Sequence, residues 1–172
     1  MGMISTVINM KHLEWCTHIQ FKEDQDILTR ANFNVNIRLL KCNDEYKELI
    51  SQCVRYIILC ALEEKEGYKE PHGWSGANAG IPFNIIALND GSYYINPKVT
   101  KWSGISKIVM TNCGSLTLEE PVAEARDPLI DISYYDLDGT LKTWHNIGPT
   151  PGYTIQHEIN HTRGFLLRNR PL

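Results

Sequence analysis

Two histidines four residues apart, His157 and His161, sit late in a chain of 172 residues, in the run Gln156-His157-Glu158-Ile159-Asn160-His161. On an α-helix this spacing puts both imidazoles on one face, where they can reach a single metal ion. Glu158, beside the first histidine, is then placed to work on a water held by that ion. Local signals predict a helix over 151–163. Thr150 suits the N-cap, Pro151 suits the first helical position, and Gly164 is a natural stop. Two histidines under-ligate a catalytic ion, which takes three protein ligands and keeps one open position. Cys113 is the best remaining candidate for the third. It follows a candidate strand and sits between Asn112 and Gly114, where the chain turns. Cys16, Cys42, Cys53 and Cys60 lie on or before the first long helix, in contexts that read as packing. One thiolate with two imidazoles suits zinc, and equally iron.

The elements that must position these groups come from the rest of the chain. With 42% hydrophobic and 22% charged residues, residues 1–172 read as one globular domain with a sizeable core. A net charge of -3 gives no argument for nucleic acid or an acidic membrane surface. No apolar run approaches the length of a bilayer span. Residues 1–10 have neither a basic cluster nor a long apolar block, so no targeting segment is expected there. The five cysteines show no disulfide-like spacing, which predicts a reducing compartment and a cytoplasmic location. No repeat or low-complexity segment appears.

Up to residue 43, extended segments and turns are expected, with Ile37, Leu39 and Leu40 feeding the core. Asn43 and Asp44 then open a helix predicted to run to about residue 66. Tyr46, Leu49, Ile50, Cys53, Val54, Ile57, Cys60 and Ala61 recur on it at helical spacing. Residues 56–62 are apolar nearly all round, which predicts that this helix is largely buried. Cys53 and Cys60 read as small hydrophobes rather than redox groups. After Gly67 comes a Gly-rich loop, 71–82, of the kind that lets backbone approach a partner closely. It lacks the Lys-Ser/Thr ending of a phosphate loop. The pattern then turns to β. Strands are predicted over 83–88 and 92–95, joined by Asn89-Asp90-Gly91, then over 105–110. A last pair, 129–135 and 140–144, flanks Asp136-Leu137-Asp138-Gly139. The sum is α+β: antiparallel sheets packed around a central metal-binding helix, with a long buried N-terminal helix. His12, His18 and His145 read as surface histidines. Trp15, Trp102 and Trp144 read as packing, and Trp74 stands out for its place in the Gly-rich loop.

Taken together, these stretches resemble the peptide deformylase family. Gly73-Trp74-Ser75-Gly76-Ala77-Asn78-Ala79-Gly80-Ile81-Pro82 is similar to its Gly-rich segment, with Asn78 where the family has Gln. Thr111-Asn112-Cys113-Gly114-Ser115 is similar to its Glu-Gly-Cys-Leu-Ser segment and keeps the Cys and the Ser. Gln156-His157-Glu158-Ile159-Asn160-His161 is similar to its histidine motif, with Asn160 for Asp. Softer matches are Ile95-Asn96-Pro97, Arg126, and the turn at 135–139. The likeness covers about residues 24–168. Pro71, Asn78, Thr111, Asn112 and Gly114 depart from the family pattern, and no long C-terminal helix is expected. A divergent or minimal member is implied.

The resemblance implies hydrolysis of the formyl group from N-terminal formyl-methionine, releasing formate and a free amine. Cys113, His157 and His161 would hold one divalent cation, Fe(II) or Zn(II), with Ni or Co as substitutes. Glu158 would take the proton of the attacking water and pass it to the amine. The backbone N–H of Gly114 and the amide of Asn78 would stabilise the oxyanion. Gly73, Tyr153 and His72 would line the substrate site, although as a residue His72 reads as a solvent-facing loop histidine. Formyl-methionyl nascent peptides are the implied partners, with the ribosome a further one, and a monomer is expected. Two other readings stand beside this: a metallopeptidase of different substrate, and a non-catalytic or altered-specificity metal-binding relative.

Overall fold

Two asparagines start the helical part of the chain. In a computed structural model, which describes residues 32–63, 72–111 and 122–164, Asn36 accepts a hydrogen bond from Leu39 N (3.1 Å) and opens α1 (Ile37–Cys42). Asn43 accepts one from Tyr46 N (3.0 Å) and opens α2 (Asp44–Glu63). The expectations for His12, His18, Trp15, Cys16, Gly67, Pro71, Asn112, Cys113, Gly114 and Ser115 lie outside the described residues. Helix α1 corrects the expectation of extended chain before residue 43. Ile37 and Leu40 lie three apart, share a face and pack inward, which turns Leu39 outward.

Helix α2 buries Ile50, Cys53, Val54, Ile57, Cys60 and Ala61 against one face of a sheet. Leu59 and Leu62 face out, at 55% and 38% exposure. The apolar run around them is therefore not buried all round, because a single layer covers a single side of the helix.

That sheet is antiparallel and has five strands in the order β1-β2-β3-β6-β7. They are β1 (Gly73–Ser75), β2 (Ile85–Leu88), β3 (Tyr93–Trp102), β6 (Ile130–Tyr135) and β7 (Leu141–Ile147). The pair β4 (Lys107–Thr111) and β5 (Val122–Arg126) forms a separate two-stranded sheet. Helix α3 (Pro149–Thr162) lies across the second face of the large sheet. Alternation along β2 divides the two cores. Ile85 and Ala87 point to α2, while Ile86 and Leu88 join Ile155 and Ile159 of α3. A strand covered on both faces reads as a continuous apolar run, as Ile-Ile-Ala-Leu does here. The fold is α+β.

Several strands depart from the sequence reading. Residues 73–75, expected as loop, form β1 because they pair with β2 in the register Gly73↔Leu88, Trp74↔Ala87, Ser75↔Ile86. Strand β3 continues past Pro97 to Trp102, where irregularities in register against β6 absorb the proline. Strand β5 was not anticipated. Trp74 is 3% exposed and packs in the α2 core. Trp102, at the end of β3, is half exposed and belongs to neither core, which corrects its reading as a packing residue. Among the described residues no helix is long and apolar enough to cross a membrane.

Candidate functional site

Helix α3 begins with a break. Thr150 has extended dihedrals (φ -114°, ψ 107°), so the regular turns start at Pro151, as its position predicts. The helix ends where Gly164 takes φ +81° and donates its N–H to the His161 carbonyl. Between these ends the four-residue spacing brings the histidines together. Nε2 of His157 lies 3.1 Å from Nε2 of His161, and the rings meet edge to face, with planes at 89°. His161 is fully buried, and burial pushes its pKa down from 6.5 to about 4, with the charge of Arg126 adding to the effect. Its ring is therefore neutral at physiological pH and keeps a lone pair for a partner. Glu158, between the two histidines in sequence, is also buried.

The nitrogen separation can be tested against a cation. Two nitrogens ~2.0–2.1 Å from one ion and 3.1 Å apart subtend about 100° at it, between the octahedral and tetrahedral angles. The pair fits one edge of a metal coordination shell. Among the described residues no three His, Cys, Asp or Glu side chains converge. Cys113 and Gly114, expected as third ligand and oxyanion donor, lie outside those residues.

Strand β1 forms the wall next to Glu158. A Cβ on Gly73 would lie 2.8 Å from Glu158 Cγ and 2.8 Å from the Ala87 carbonyl oxygen. Only glycine lets the strand come this close to the helix. Because β1 ends the strand order, its outer edge carries no strand among the described residues. The chain then turns tightly through 76–80. A Cβ on Gly76 would run into the carbonyl oxygens of Phe83 and Ile81. Inside this turn Asn78 is buried, its Oδ1 accepts from the Ser75 hydroxyl, and its N–H donates to Ser75 Oγ at 3.3 Å. Tyr153 is half-buried one turn before His157.

His72 is half-buried instead of solvent-facing. Asn89 Nδ2 lies 3.0 Å from its Nδ1, and its Nε2 lies 2.9 Å from the Ala61 carbonyl oxygen. The ring is a strut between α2 and the start of β1, and neither nitrogen is left for a substrate. His145 is exposed, as expected, and pairs with Asp131 (2.9 Å).

The sequence reading did not find a buried ion pair. Glu124 and Arg126, two apart on β5, form a salt bridge with side chains 4% and 1% exposed. Val-Ala-Glu-Ala-Arg alternates small and charged residues, a pattern that ordinarily means charge outward. Here the charges face inward, and no local signal separates the two cases. A further feature is the side chain of Gln156, which the sequence offers as a group to orient its helix or the loop before it. It accepts from Asp127 N (3.0 Å) and donates to Asp127 O (2.7 Å).

No family model matches the chain. A peptide deformylase from Lactobacillus gasseri is 27% identical over 141 residues, 74% of this chain and 76% of that protein. One from Chloroflexus aurantiacus is 29% identical over 115 residues, 66% of this chain and 56% of that protein. Among solved structures, actinonin-bound class I type b peptide deformylase from Acinetobacter baumannii superposes with a TM-score of 0.66 at 20% identity. That match covers 86% of this chain and 92% of the other. In sequence and in fold the chain resembles peptide deformylases, at identities that mark it as divergent.

Proposed function

We propose, from the premise that this chain is a divergent relative of peptide deformylases, that it hydrolyses the formyl group of N-terminal formyl-methionine on newly made polypeptides. The observation that carries this reading is the convergence of the His157 and His161 Nε2 atoms, 3.1 Å apart, beside buried Glu158. Cys113, His157 and His161 would hold one divalent cation, Fe(II) or Zn(II) in kind. When bound, such an ion supplies Lewis acidity and lowers the pKa of water towards about 7.

The chain's own residues then divide the work. Glu158 accepts the proton of the attacking water as its oxygen adds to the formyl carbon. The same carboxylic acid returns a proton to the nitrogen as the C–N bond breaks, so the products are formate and an amine. Charge on the formyl oxygen needs donors. With Oδ1 of Asn78 engaged by Ser75, its Nδ2 is the end of the amide suited to this task, together with the N–H of Gly114. The edge of β1 that carries no strand among the described residues would offer main-chain groups to an extended peptide beside Glu158. Gly73 would let that peptide and the helix approach each other, and Tyr153 would border the methionine side chain. Formyl-methionyl peptides are the substrate class.

The test compares formate release from a formyl-Met tripeptide with cleavage of an internal peptide bond, using protein loaded with a known metal without oxygen. Formate release by the wild type, and a loss of about 10²–10⁴-fold in Glu158→Ala with metal content retained, is the expected result. Internal cleavage without formate, or a Glu158→Ala variant at near wild-type rate, would overturn the reading.

A further inference from the structure

The residue before His157 is tied to the structure in a way the proposed chemistry does not use. Gln156 is 4% exposed, and both polar atoms of its amide are satisfied by one residue 29 positions away. Oε1 accepts from Asp127 N and Nε2 donates to Asp127 O. A buried primary amide is costly to leave without such partners, so this pairing fixes where the side chain sits. It engages main chain, and is therefore indifferent to the side chain at 127. Asp127 directly follows β5, and β5 pairs along its length with β4, from Lys107↔Arg126 to Thr111↔Val122. Strand β4 ends two residues before Cys113. The amide thus joins the helix that bears His157, Glu158 and His161 to the hairpin that leads to the cysteine.

From this we infer that Gln156 is a positioning residue for the metal centre. Its two-bond clamp on the Asp127 main chain holds α3 at one translation and rotation relative to the β4–β5 hairpin. Ligands from distant parts of the chain need such a fixture, because coordination tolerates only small displacements and outer groups that orient ligands carry measurable affinity. The inference rests on the proposed metal site and deepens it.

The test uses the full chain loaded with zinc(II) and measures transfer of the metal to a chromogenic chelator, beside thermal unfolding and steady-state formate release. Gln156→Met removes both bonds at similar volume. Gln156→Glu keeps the acceptor for Asp127 N and loses the donor. Asp127→Ala leaves the main-chain clamp in place. Zinc loss faster by about 10–100-fold in Gln156→Met is expected, with an intermediate change in Gln156→Glu and none in Asp127→Ala. In the two Gln156 variants kcat should fall at saturating metal, with KM little changed. Wild-type zinc retention in both Gln156 variants would overturn the inference, whatever their melting temperatures. So would zinc loss that only parallels global unfolding. If Gln156→Met does not fold, Gln156→Glu and Asp127→Ala still decide the matter. A wild type that binds no zinc would instead sink the functional reading from which this one starts.

Discussion

Replacing Gly73 with alanine tests the closest approach in the site. The added Cβ would stand 2.8 Å from Glu158 Cγ, 2.8 Å from the Ala87 carbonyl oxygen and 3.1 Å from Leu88 Cδ2. Ordinary contact begins near 3.4 Å, so β1 and α3 must separate by about 0.6 Å or Glu158 must leave its rotamer. Ala87 O belongs to the paired strand β2, so relief on that side strains the β1–β2 ladder, and relief on the other side displaces Glu158. Overpacking of this kind costs about 1–3 kcal/mol, which for a chain of this size lowers Tm by about 2–12 °C. The effect on turnover should exceed the effect on stability, because a shift of ~1 Å in a reacting group can cost about 10²-fold. The assay is formate release at saturating formyl-Met peptide, with zinc content and thermal unfolding measured on the same preparation. A folded, metal-loaded Gly73→Ala protein with wild-type kcat would refute the claim that strand and carboxylate are in contact at the working distance.

Two further predictions concern groups outside the proposed catalytic set. Arg126→Met should destabilise the protein by about 3–5 kcal/mol, because it leaves the Glu124 carboxylate buried without its cation. The double variant with Glu124→Leu should recover much of that loss in chemical denaturation, and equal losses in the single and double variants would contradict the pairing. Burial pushes the Cys53 thiol up from 9.0 to about 12, so it should resist iodoacetamide at pH 8 in the native protein while exposed Cys42 is alkylated. The folded state holds this proton more tightly than the unfolded chain. Its contribution to stability is therefore complete below about pH 9 and lost as pH rises towards 12, which denaturation across that range will read.

How much of this was legible in advance follows from the range of each interaction. The start of α2 is encoded locally, since an asparagine side chain caps a helix three residues on. The hairpin at Asn89-Asp90-Gly91 is equally local, with Gly91 at φ +87°. The inward turn of Glu124 and Arg126 was not legible, because small–charged alternation does not say which face meets the protein. Nor was β1, whose three residues read as loop until β2 pairs with them. His72 looked like a loop histidine because its partners, Asn89 and Ala61, come from different elements.

The order of residues alone is enough to put two imidazoles and a carboxylate on one helical segment, because helix geometry converts a spacing of four into adjacency without help from the rest of the molecule. It also carries the turn and cap chemistry that delimits the elements. What needed the folded chain was every relation across elements: Gly73 seated against Glu158, the Gln156 amide closed on Asp127, and an ion pair enclosed beside His161. Those depend on which surfaces pack together, and packing is settled by the whole chain at once.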